Sequence, residues 1–157
     1  MKDERYILVV ADGSKEMEVA LQYACARSKK TNRKIIIATF IEPIDVLTTQ
    51  GVTEIMQNEA REEAEKKLQY ASSIVKQATG IMPVLHIREG NIIQELKALI
   101  DEEKSINVLV LAANIDDKET DPGPIINLLL TKELTNFRIP IMIVPGNFSI
   151  DHISHIT

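Results

Sequence analysis

The chain has 157 residues, 45% hydrophobic and 26% charged, ordinary proportions for a single globular domain that can bury a core without staples. Its 23 acidic and 18 basic residues leave a net charge of −5, which argues against a binder of nucleic acid or of anionic membranes, since both need a basic face. Cys25 is the one cysteine, so no internal disulfide forms; with no signal-type apolar stretch and no run long enough to span a bilayer, a cytoplasmic protein is expected.

The run Tyr6 to Val10 is apolar without alternation, the mark of a strand buried on both faces of a parallel sheet. Ala11, Asp12, Gly13 and Ser14 follow as a strand-to-helix turn, with Ser14 expected to cap the next helix. Leu21, Ala24, Cys25 and Ser28 recur at helical spacing, and Cys25 reads as a small packing residue rather than a reactive thiol. Ile35 to Ile41 is a second strand, and Ile44 to Gly51 is irregular. Residues 52–79 read as one long amphipathic helix with Val52, Ile55, Met56, Ala60, Ala64, Leu68, Ala71 and Val75 inward and Gly80 as its stop.

Met82 to Arg88 is a third strand. Asn91 and Gln94 resemble a capping box for a helix over 92–103 with Ile93, Leu96 and Ile100 inward. Val108 to Leu111 is a fourth strand, followed by a polar loop ending at Pro122 and Pro124. Ile126, Leu129, Leu130, Leu134 and Phe137 mark a last helix, and Ile139 to Val144 a fifth strand. Residues 1–146 therefore form one domain and 147–157 a polar tail, disordered or packed on a partner. Strand and helix alternate throughout, which specifies a three-layer αβα sandwich on a five-stranded parallel sheet. The favoured order 3-2-1-4-5 places a crevice between the Ala11–Ser14 turn and the loop from Ala112 to Pro124.

Three stretches resemble the universal stress protein family. They are Ile7 to Ser14 with its Asp-Gly-Ser turn, Gly90 followed by Ile92-Ile93, and Ile139 to Pro145; element order agrees over residues 5–145. The resemblance implies a Rossmann-like fold akin to adenine-nucleotide-binding α/β proteins, a stress-response role, and a homodimer paired through the last strand, Ile141, Met142, Ile143 and Val144. It also divides members that bind ATP from members that do not. The binders carry Gly, two residues, Gly, about nine residues, then Gly with Ser or Thr after the fourth strand, because glycine lets backbone amides approach phosphates. Here Ala112 and Ile115 occupy the first two glycine positions, and Thr131-Lys132 stands where Gly-Ser is expected. Asp116, Asp117, Glu119 and Asp121 make the intervening loop acidic, which repels phosphate.

For Asp12 two readings stand open, a residue near ribose or metal as the resemblance implies, and a local Asx turn. Phe40 aligns with a position that touches adenine in the binders, and core filling is the preferred reading. Ala11, Gly13 and Ser14 complete the candidate nucleotide set with Ala112, Thr131 and Lys132. His86 reads as a core histidine, and His152 with His155 lacks a third ligand for a metal. The acidic loop lacks EF-hand spacing. No Walker A loop, dinucleotide fingerprint or nucleophile–base–acid set is present, and Arg88-Glu89-Gly90 offers no phospho-acceptor Asp. A non-enzymatic homodimer acting by binding or interaction is expected, with no cofactor and no metal; an ATP binder with slow or absent hydrolysis is the alternative.

Overall fold

A computed structural model describes residues 4–43, 50–114, 123–130 and 132–157, with the side chains at 50, 124, 132 and 133 left aside. The elements in order are β1 (Tyr6–Val10), α1 (Glu16–Thr31), β2 (Lys34–Ile41), α2 (Gln50–Thr79), β3 (Val84–Glu89), α3 (Ile92–Glu102), β4 (Ile106–Ala113), α4 (Pro124–Leu129), a 3₁₀ helix (Lys132–Asn136), β5 (Ile141–Pro145) and α5 (Ile150–Ile156). All strands are parallel, in the order β3-β2-β1-β4-β5.

The inner strands are apolar throughout because each face meets its own helical layer. Ile7, Val9, Ile35 and Ile37 pack toward α1 and α2, while Leu8, Val10, Ile36 and Ala38 pack toward α3 and α4. Each large side chain so buried contributes about 1.5–3 kcal/mol. On α1 the buried stripe is Met17, Ala20, Leu21, Ala24, Cys25 and Ser28, whose small members let the helix lie close on the sheet. Asn91 Oδ1 accepts the Gln94 N–H at 3.1 Å and starts α3. Gly80, at φ +77°, donates its N–H to the Lys76 carbonyl at 2.8 Å and stops α2 in a conformation that suits glycine.

Arg88, near the end of β3, fastens α3. Its Nη1 and Nη2 donate to the two oxygens of Glu102 at 2.8 and 3.2 Å, and its Nε donates to Glu95 Oε1 at 3.0 Å. The hydrogen-bonded Glu102 pushes the guanidinium pKa up, and the guanidinium holds the Glu102 carboxyl below its ordinary value.

Four expectations are corrected. Val52, Ile55 and Met56 are exposed; the buried stripe of α2 is Ala64, Leu68, Ala71 and Val75. A helix of 30 residues is about 45 Å long. An eight-residue strand such as β2 extends about 26 Å, so the first turns of α2 run past the sheet they were expected to cover. The last helix is two pieces, and Leu130 (64% exposed) and Leu134 lie outside the core, because a 3₁₀ turn breaks the 3.6-residue phase of the apolar stripe. His86 is half-buried on the edge strand β3 rather than in the core. The segment after Gly146 is partly helical: Ser149 Oγ accepts the His152 N–H at 3.1 Å, and α5 buries Ile153 against the α1 side of the molecule.

Candidate functional site

The crevice forms where the chain reverses its direction of travel across the sheet, between the carboxyl ends of β1 and β4. Ala11 is fully buried there. Its N–H donates to the Ala38 carbonyl at 2.8 Å, and its own carbonyl accepts the buried Thr39 hydroxyl at 2.7 Å. The end of β1 is thus tied to β2 before the turn begins.

Asp12 Oδ1 accepts both the Ser14 N–H at 2.9 Å and the Ser14 hydroxyl at 2.6 Å, closing an Asx turn around Gly13 at φ +78°. Ser14 consequently does not cap α1; the helix starts from Lys15 without a side-chain cap. The hydroxyl donates to the carboxylate two residues back, and in that orientation its oxygen accepts from no helix amide.

Asp12, Ser14 and Ala112 come together on one small cavity, with Glu16, Met17 and Gly123 among its other walls. The space open to the centre of a water-sized sphere is about 20 Å³, near what one water molecule requires. Among the described residues its lining holds two carboxylates and no basic side chain. The other candidates lie elsewhere. Ala11 is core, and Gly13 faces a groove between α1 and α2, where Lys67 crosses it so closely that a Cβ would lie 3.0 Å from Lys67 Cε. Phe40 packs against the α3 and α4 side of the core. Lys132 opens the 3₁₀ helix. Thr131, Ile115 and the acidic residues Asp116, Asp117, Glu119 and Asp121 lie outside the described residues.

Sequence reasoning missed two glycines. Gly123 lines the crevice at φ +126°, and its setting between Pro122 and Pro124 was the available signal. Gly146 donates its N–H to the Ala113 carbonyl at 3.0 Å and closes the outer end of β4; nothing in its local sequence marks so close an approach.

The remaining chemistry-bearing groups do not converge. Burial pushes the Cys25 thiol up to about 11, which keeps it protonated. His152 meets Phe148 edge-on with ring centres 4.6 Å apart, and His155 Nδ1 lies 2.8 Å from the Asp151 carbonyl. Among the described residues no three His, Cys, Asp or Glu side chains gather to hold a metal, and no helix is long and apolar enough to cross a membrane.

The family model described as the universal stress protein family matches residues 5–115. The chain belongs to the universal stress protein family. No curated protein sequence matches significantly. Among solved structures, the universal stress protein UspA from Lactobacillus plantarum is similar at TM-score 0.74 and 12% identity, covering 92% of this chain and 99% of that one. A universal stress protein in complex with cAMP is similar at TM-score 0.59 and 22% identity, over 92% and 98% of the two chains. The universal stress protein from Archaeoglobus fulgidus in complex with dAMP is similar at TM-score 0.63 and 14% identity, over 90% and 97%. At these identities the structural likeness establishes the αβα fold and the strand order.

Proposed function

We propose that this universal stress protein acts by binding or interaction rather than by catalysis, as a cytoplasmic homodimer, with a crevice that does not hold ATP in the standard way. The observation that carries this reading is the set of side chains that line the crevice. Asp12 is committed to Ser14, Ala112 stands where a phosphate-cradling glycine would be, and two carboxylates face a space of about 20 Å³. Those residues do not fit a triphosphate, whose charge calls for backbone amides or cations.

The dimer reading rests on β5. Among the described residues this strand pairs only with β4; it is apolar from Ile141 to Val144 and leaves Ile143 43% exposed at the sheet edge. A bare apolar edge is a template for another strand, and a twofold copy covers both edges at once.

A second reading, an adenine-nucleotide-binding member, is favoured by the similar structures determined with cAMP and dAMP. It would use Asp12, Phe40 and loop amides after Ala112. Calorimetry with ATP and magnesium or manganese separates the two. The first reading expects no saturable heat. Micromolar binding that Asp12→Ala abolishes overturns it.

A further inference from the structure

At the far end of α1 from the crevice, a groove of about 510 Å³ runs between α1, the last turn of α2 and α5. Its floor is apolar, made by Cys25, Ala26, Ala78 and Ile153. Lys29 and Lys30 stand at its rim, both exposed, and neither forms an ion pair among the described residues. Among those residues no acidic side chain lines the groove. Their place in the last turn of α1 lets the two lysines oppose the helix dipole. That accounts for the charges but not for the apolar trough beside them.

We infer that this groove binds a single-chain anionic amphiphile, a medium-length alkyl carboxylate, with the chain along the Ala26–Ala78–Ile153 floor and the headgroup at Lys29 and Lys30. Charge complementarity selects the headgroup, since an unpaired ammonium beside apolar surface favours a carboxylate over a neutral or cationic end. The volume lies within the range of small-molecule sites. Exposed Ile150 lies on the α5 wall, where it would extend the apolar contact. This site is separate from the crevice and does not depend on what the crevice holds.

Decanoate, kept below its micelle concentration, is titrated into the full-length protein by calorimetry, alongside decyltrimethylammonium and the octyl and dodecyl carboxylates. Saturable one-to-one binding of the carboxylates is expected, strengthening about two- to fourfold per added methylene. Lys29→Glu with Lys30→Glu, both at exposed positions, is expected to weaken decanoate at least about tenfold while the far-UV spectrum is unchanged. Ala26→Phe is expected to fill the groove and abolish binding. Because Cys25 is the sole cysteine and lies in the floor, bound decanoate is also expected to slow its alkylation. Equal binding of the cationic amphiphile, indifference to the lysine substitutions, or a response seen only above the micelle concentration or only with vesicles overturns the inference.

Discussion

Gly146→Ala tests how closely the turn after β5 must approach its neighbours. An alanine Cβ at this position would lie 2.8 Å from Glu16 Cβ and nearer still to the Ala113 carbonyl oxygen, which accepts the Gly146 N–H at 3.0 Å. Both neighbours are held, one at the end of β4 and the other in the first turn of α1, so relief requires the turn itself to move. Losing the hydrogen bond costs about 0.5–1.5 kcal/mol, and overpacking costs about 1–3 kcal/mol. Together these give about 2–4 kcal/mol, a fall in melting temperature of roughly 5–15 °C for a chain of this length. Gly51→Ala is the control. It sits in α2, where among the described residues no atom beyond its chain neighbours and the helix's own backbone comes within 4 Å of the added carbon, and the better helix former should be neutral or stabilising by a few tenths of a kcal/mol. Thermal unfolding followed by circular dichroism reads both. A Gly146→Ala melting temperature within about a degree of wild type would refute the steric argument.

Further expectations follow from the edge, the α3 clamp and the buried thiol. If the proposed β5 dimer forms, Ile143→Lys should yield monomers by light scattering, and an unchanged dimeric mass would place the interface away from β5. Arg88→Met removes the fork to Glu102 and Glu95 and should lower the melting temperature by a few degrees at neutral pH. The Glu102 carboxyl is held below its ordinary value, so its share of that stability is present above the usual carboxylate range and is lost as pH falls through the lowered value. The gap between wild type and variant should therefore close toward acid. Cys25 behaves oppositely. Its thiol is raised from 9.0 to about 11, so the unfolded chain ionises first and stability falls as pH rises between those values. Relative to Cys25→Ala, urea midpoints should show wild type losing ground over that window, and native Cys25 should alkylate slowly at pH 8 until the protein unfolds.

The sheet was legible because burial on two faces writes itself into composition. Ile7 to Val10 and Ile35 to Ala38 have no polar alternation, and only a two-layer cover explains that. Gly80 and Asn91 were legible because their backbone roles are local. Val52, Ile55 and Met56 misled because apolar periodicity records which side of a helix is greasy and not where its support ends. Ser14 misled because its hydroxyl is turned to donate to Asp12 in the turn instead of presenting its oxygen to the helix amides. At the crevice, Asp12, Ser14 and Ala112 were found from the switch-point argument, whereas Phe40 and Gly13 face other surroundings. Gly146 was invisible because its constraint comes from Ala113 and Glu16, 33 and 130 residues away in the chain.

On the dimer reading proposed above, the two ends of the sheet are not alike in a way that matters. β5 ends the sheet with Ile141 to Val144 uncharged, whereas β3 ends it with Arg88 and Glu89, and Arg88 is anchored to α3. Joining β5 of one copy to β3 of the next would leave a new end of each kind and grow without limit. Charge on β3 discourages that head-to-tail growth, so in the proposed dimer pairing of like ends would stop at two, and a sticky strand would be carried without forming a fibre.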